Sequence, residues 1–286
     1  MLAAVIFVSA LVFFPALQNT FNNWDDNDYV TENQYIRSLS AANIEHVFKQ
    51  PIALNYHPLT IISLALNYQV SGLEPFSYFL VNILLHLANV VLTFYFALLV
   101  LGRNRLMALF VAAIFAIHPM HVESVAWISE RKDVLYGFFF ISGMIAWIYY
   151  LQGSKWTWYL ATFGLFTLSA LSKPSSVVFP MMLFLIDFLF NRKFSLKLLA
   201  EKVPFLIVAM GIGLATLNAQ LRISVVDIKQ YNAVQQFLFA SYGFLIYLVK
   251  LFVPYGLSAL HPVPVFNTSL DLPWLYFISP VLDILI

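Results

Sequence analysis

The chain has no cysteine among its 286 residues. That excludes disulfides, a thiolate metal site and a thiol nucleophile, and it leaves the redox compartment unread. Charge is scarce as well, at 10% of residues, against 61% hydrophobic residues and a mean hydropathy of +0.82. A soluble domain averages roughly 45–50% apolar. The formal net charge of +1 argues against a nucleic-acid partner, and no alternating apolar pattern suggests a barrel. What is present is aromatic, 28 Phe and 15 Tyr, as expected where interfacial belts anchor many spans. The composition implies an all-α, polytopic transmembrane helix bundle. No internal repeat or low-complexity tract interrupts it, so residues 1–286 read as one domain.

Apolar runs predict about nine spans, at 2–17, 76–101, 106–117, 134–151, 156–171, 177–190, 203–217, 237–253 and 273–286. Several fall short of the roughly 20 residues a crossing needs, which predicts tilted or broken helices. The first residues lack the basic n-region of a signal peptide, so 2–17 reads as a retained span. The last run stops in mid-span, which predicts a fragment of a longer protein. Short basic loops at 102–105 and 191–202 carry Arg103, Arg105, Arg192, Lys193, Lys197 and Lys202, and the bias of such loops puts them in the cytoplasm. Alternation then places 18–75, 118–133, 172–176 and 218–236 outside, with ten of the fourteen acidic residues.

The stretch His118–Asp133 stands out. It holds two histidines and five charged side chains in sixteen residues, between apolar runs on both sides. Ionisable groups near lipid are functional candidates by default. The preceding run, 106–117, makes roughly 18 Å of helix, short of a hydrocarbon core of about 30 Å. His118 and Pro119 are therefore expected below the outer surface, at the depth of a lipid phosphate. A short helix is expected after Pro119, with Glu123, Trp127 and Glu130 on one face. Arg131 and Lys132 are suited to clamp an anionic phosphate, and Glu123 is expected to meet Asp25 and Asp26 across a cavity. Two other readings stay open: a self-neutralising loop of Glu130, Arg131, Lys132 and Asp133, and a divalent metal on His118, His121 and Glu123, although that spacing is no standard zinc pattern.

The first outer loop opens with Trp24, Asp25, Asp26 and Asp28. These carboxylates read either as a solvated turn or helix cap or as a general base made more basic by a like-charged neighbour. Trp24 suits an interfacial anchor or a platform for a sugar ring. Residues 38–50 predict an amphipathic surface helix capped by Ser40, with Ile44, Val47 and Phe48 on its apolar face. An apolar segment to Val70 follows, which dips in or packs on the spans. Taken alone, His57 is more often a structural histidine. Asn82, His86 and Asn89 share a helix face and read as interhelical glue. Lys173, at the outer end of span 156–171, serves as an interface anchor or a second phosphate contact. Asp187 and Lys250, near inner helix ends, read as capping or pairing groups.

The assembled motifs resemble the bacterial relatives of the TMTC proteins, the transmembrane and tetratricopeptide-repeat O-mannosyltransferases of the GT-C class of glycosyltransferases. The resemblance rests on Trp24-Asp-Asp-Asn-Asp-Tyr-Val30, Asn55-Tyr-His-Pro-Leu-Thr60, Asn82-Ile-Leu-Leu-His86, the whole of 118–135, Leu171-Ser-Lys-Pro-Ser175 and Leu185-Ile-Asp-Phe188. It continues through Lys250-Leu-Phe-Val-Pro254 and His261-Pro-Val-Pro264, and spans 20–265. It implies inverting transfer of a sugar, mannose or another hexose, from a polyprenyl-phosphate donor to a protein hydroxyl. The setting it implies is the periplasmic side of a bacterial inner membrane. Asp25 matches the family's base, with Asp26 as partner or substitute, and Glu123 matches the second acidic position. Arg131 and Lys173 match positions that hold the donor phosphate, Lys132 joins them as a candidate on its charge, and Trp24, His57, His118, His121, Trp127 and Asp133 are the candidate substrate-binding residues. No cofactor beyond the donor lipid is implied, and a divalent metal stays open. The expected partners are membrane lipid, the polyprenyl-phosphate sugar and an acceptor protein. His261 stands where relatives usually have Tyr, and the tetratricopeptide repeats are absent. Two readings of other classes remain: a transporter or flippase, which expects ionisable groups at mid-bilayer on several helices, and a catalytically dead scaffold.

Overall fold

The computed structural model describes residues 1–221, 231–258 and 272–285, so the expectation for His261 lies outside the described residues. The chain divides into two units, Met1–Ile223 and Ser224–Ile286. Every element described is helical apart from one isolated bridge, Ile52 to Asn55.

The first unit contains α1 (Leu2–Phe13), α2 (Ala41–Lys49), α3 (Pro58–Ser71), α4 (Pro75–Val100), α5 (Arg105–Ile117), α6 (His121–Ala126), α7 (Arg131–Gly153), α8 (Trp156–Ser172), α9 (Phe179–Leu189) and α10 (Leu196–Leu221). The second contains α11 (Ala233–Phe252) and α12 (Trp274–Leu285). Helices α4, α7, α10 and α11 are long and apolar enough to cross a membrane, and α1, α5, α9 and α12 are shorter apolar helices. The protein is an all-α membrane helix bundle.

Local signals set the boundaries. Pro58 and Pro75 open α3 and α4 at the first helical position, where a missing N–H costs nothing. Asn104 caps α5 by accepting from Met107 N at 3.2 Å. Asn232 and Gln235 form a reciprocal capping box for α11, at 2.9 Å in each direction. Ser40 caps α2 as expected, accepting from Asn43 N at 3.3 Å, and Val47 is the buried member of its apolar face. Helix α3 packs on the bundle rather than lying apart: Ile61, Leu64 and Ala65 are buried, and Thr60 Oγ1 donates to Ser172 O at 2.8 Å. That bond brings the start of α3 to the end of α8, next to Lys173.

Two boundaries differ from expectation. Helix α10 begins at Leu196 rather than 203, carrying Glu201 and Lys202 into a helix. Lys202 is therefore no solvated loop cation. It is fully buried, pairs with Asp187 and lies 4.3 Å over the Trp147 ring. The short helix after Pro119 ends at Ala126, and Trp127 is extended. Glu123, Trp127 and Glu130 thus share no helix face.

The polar stripe of α4 faces protein. Asn82 donates to Trp127 O at 2.9 Å and Asn89 to Val134 O at 2.8 Å, while His86 Nε2 lies 3.1 Å from Ala116 O. All three are buried, as hydrogen-bonding groups are where no water competes. These bonds dock α4 on the segment 116–134, which carries the charged run Glu130–Asp133.

Candidate active site

At the start of α7, five charged side chains form one continuous chain of ion pairs. Asp25 lies 3.8 Å from Lys132, Lys132 lies 2.8 Å from Glu130, and Glu130 lies 3.9 Å from Lys173. Lys173 then pairs closely with Asp133, whose other oxygen accepts from Ser124 Oγ at 2.9 Å. Three loops thus converge: the one after α1, the turn into α7, and the turn after α8. Two lysines stand among three carboxylates. Asp25 is the most open member, with 45% of its side chain exposed against 12% for Lys132 and 10% for Glu130. Such a recess has the low dielectric that strengthens charge interactions with a ligand.

Aromatic rings wall this recess. Lys132 Nζ lies 5.1 Å from the Tyr29 ring centre, and Tyr29 stacks on His57 at 4.9 Å. Lys173 Nζ lies 5.9 Å from the Tyr136 ring. Burial, followed by the Asp25 charge, raises the Tyr29 phenol above its ordinary range. Burial also raises the Glu130 carboxyl, with Lys132 opposing. His57 is held down to about 3, first by burial and then by Lys132 and Lys173, so its ring is neutral at pH 7.

The expected roles divide sharply. Asp26 is fully buried. Its Oδ1 accepts from Trp127 Nε1 at 3.1 Å, Ser129 N at 3.0 Å and Ser129 Oγ, and its Oδ2 accepts from Asn22 N at 3.0 Å. It braces the turn into α7 against the first loop and has no face left for a substrate proton. Arg131 is the clearest correction. Its guanidinium is wholly buried and donates to Asn82, to Ser63 Oγ at 3.0 Å, to Asn67 Oδ1 at 2.9 Å and to Tyr78 O at 2.8 Å. Its donors face α3 and α4, so it ties α7 to both helices and takes no part in the ion-pair chain of Lys132 and Lys173. Glu123 stands exposed on α6, and the meeting with Asp25 and Asp26 is not made among the described residues. Lys132 and Trp127 make those crossings instead.

Trp24 is 56% exposed and sits edge-on to Trp127 at 5.8 Å, a pair of rings at the rim. His118 and His121 join His86 and Phe115: His121 lies 5.4 Å from His86 and 4.4 Å from Phe115, and His118 lies 6.3 Å from His121. Burial first, then His86 and His118, hold His121 down to about 4. Among the described residues no three histidine or carboxylate groups converge as a metal site would require. Glu130 is the residue that reading the motif missed. It sits between both lysines, and its place in the Glu-Arg-Lys-Asp run suggested only a self-neutralising loop. Nothing in the spacing of that run separates it from its neighbours, because Glu130 and Arg131 are both buried and differ only in the segments they meet.

Similarity to characterised proteins covers part of the chain. Over 113 residues, 38% of the chain and 13% of the relative, it is 36% identical to protein O-mannosyl-transferase TMTC2 of Mus musculus. Over 81 residues, 28% of the chain and 9% of the relative, it is 38% identical to human TMTC1. Drosophila melanogaster Tmtc1 is 29% identical over 123 residues, 43% of the chain and 14% of that protein. The match thus spans about an eighth of the curated relatives' length. No protein-family model and no solved structure gives a significant match.

Proposed function

We propose, for a chain that is a relative of the TMTC family, the chemistry of a membrane glycosyltransferase that moves a hexose from a polyprenyl-phosphate donor to a protein hydroxyl with inversion. The observation that carries this reading is the ion-pair chain Asp25–Lys132–Glu130–Lys173–Asp133. It sets an accessible carboxylate beside two cations in a partly dry recess, which is the pairing this transfer needs.

A hydroxyl is a poor nucleophile until a base takes its proton. Asp25 takes it as the acceptor oxygen bonds to the anomeric carbon. The bond from that carbon to the phosphate oxygen breaks on the opposite face, so one displacement inverts the centre. The leaving lipid phosphate gains charge, and Lys132 and Lys173 neutralise it. Fixed cations in a low-dielectric site do this without reorganising solvent. Asp26 positions the first loop, and Trp24 and Trp127 offer ring faces at the rim. The recess faces the periplasm of a bacterial inner membrane, and the GT-C class is the matching enzyme class.

The transporter reading expects ionisable groups at mid-bilayer on several helices. Here such groups gather at one end of α9 and α10, where Asp187 pairs with Lys202 and Glu201 pairs at 2.5 Å with Arg192 of the intervening loop.

The test is transfer of labelled hexose in membranes containing the protein. Asp25→Asn is expected to cut transfer at least 100-fold, within the range for loss of a general base, with unchanged thermal stability and donor binding. Asp26→Asn is expected to lower activity and stability together. Wild-type turnover in Asp25→Asn would remove Asp25 from the base position.

A further inference from the structure

His57 is 2% exposed, and neither ring nitrogen has a hydrogen-bond partner. A neutral imidazole carries one N–H donor and one bare acceptor, and buried polar atoms are paired in the great majority of cases. Two open atoms on one ring point to a partner that comes and goes. The ring is also held in place at some cost. It stacks on Tyr29 with planes 15° apart, and its carbonyl accepts from Thr60 N at 3.1 Å as α3 begins. The preceding turn places two non-glycine residues at positive φ, Ala53 at 48° and Leu54 at 64°, a conformation such residues rarely adopt. Asn55, closing that turn, donates to Tyr29 Oη at 3.3 Å. Tyr29 in turn lies beside Lys132.

We infer that His57 is a specificity-determining residue of the ion-pair recess, where its two open nitrogens bind the hydroxyl groups of a sugar whose phosphate is held by Lys132 and Lys173. This rests on the glycosyltransferase reading and extends it by naming what tells a sugar-loaded donor from a bare lipid phosphate. A hydroxyl both donates and accepts, so a pair of sugar hydroxyls satisfies both nitrogens of the uncharged ring, whereas phosphate oxygens, which only accept, satisfy its N–H and leave the other nitrogen bare. Burial and the two lysines keep the ring uncharged at neutral pH. Charge recognition and hydroxyl recognition therefore reside on different side chains and can be separated.

The experiment measures binding of a polyprenyl phosphate, and of the same lipid carrying a hexose, to the whole protein in nanodiscs. His57→Phe keeps the ring and its stack on Tyr29 but removes both nitrogens. It is expected to weaken the hexose lipid about tenfold or more, as loss of a built polar contact does, and to leave the bare lipid within about twofold. Lys173→Met is expected to weaken both. His57→Gln, which restores one donor and one acceptor, is expected to regain most of the preference, and His57→Leu, which also lacks both nitrogens, takes the place of the Phe variant if that folds poorly. An unchanged preference for the hexose lipid in folded His57→Phe or His57→Leu would mean that the nitrogens meet no sugar hydroxyl and overturns the inference. Wild-type protein that binds neither lipid overturns the glycosyltransferase reading itself.

Discussion

Arg131 carries its guanidinium into a wholly buried position and meets it with neutral oxygens alone. A planar fork reaches acceptors on α3 and α4 at once, which a lysine head cannot do. Arg131→Lys is expected to cost about 3 kcal/mol, the scale of losing charged hydrogen bonds with their partners left buried, seen as a lower Tm in detergent. A Tm equal to wild type would return Arg131 to the list of ligand-binding cations. His57 makes a second prediction at this scale. The unfolded chain takes a proton on this ring near pH 6.5, whereas the folded chain refuses it until about 3. Between those values the unfolded state holds more protons, so stability rises with pH and is lost as pH falls from 6.5 towards 3. His121 adds the same sign between 6.5 and about 4. The slope is on the order of 1 kcal/mol per pH unit for each ring. Thermal melts at pH 7 and pH 5 should show the drop, and His57→Phe should flatten it by about half. An unaltered slope would show that the ring titrates normally.

Among the elements, α7 and α8 form the tightest pair, joined by Ser154 and Lys155 alone, with Ser154 in the left-handed conformation at φ 49°. Their shared core is aromatic: Phe166 stacks on Phe179 at 5.0 Å, and Phe140 meets Phe179 edge-on at 5.0 Å. Gly143 admits that packing, because a Cβ there would lie 2.9 Å from Phe179 Cζ. Gly143→Ala is expected to destabilise by about 1–3 kcal/mol, the usual cost of overfilling a packed core. A melt of the purified variant measures it, and an unchanged Tm would show that Phe179 can turn aside freely. The start of α10 is held differently. Tyr150 Oη donates to Glu201 at 3.0 Å and Tyr159 Oη to its carbonyl at 2.9 Å, ahead of Pro204 within the same helix.

At the scale of the first unit, α7 joins two charged ends. Its 23 residues span roughly 34 Å, about one bilayer. The ion-pair recess stands at its first turn, and the Asp187–Lys202 and Arg192–Glu201 pairs stand by Trp147 and Tyr150 towards its last. The absence of cysteine makes sidedness directly measurable. An impermeant maleimide is expected to label exposed Asn23→Cys from outside intact cells, and Lys193→Cys only after permeabilisation. Labelling of both from the same side would reverse the assignment of the recess.

Much of this was written locally. Run lengths, proline at helix starts, Asn and Ser caps and the stripe Asn82–His86–Asn89 depend on spacing along one segment, and spacing is what a sequence displays. The density of charge in 118–133 marked the site for the same reason. Which charge faces which way was not local. Arg131 and Lys132 are neighbours of one sign, yet a helix start turns the first into the bundle and leaves the second at the recess. Asp25 and Asp26 divide likewise, because Trp127 and Ser129, a hundred residues away, claim only one of them. Composition and pattern alone determined a membrane helix bundle with a densely charged segment at 118–133. Only the folding of α3, α4 and α7 together decided which acids and bases face the recess, since burial and partner supply come from segments distant in the chain.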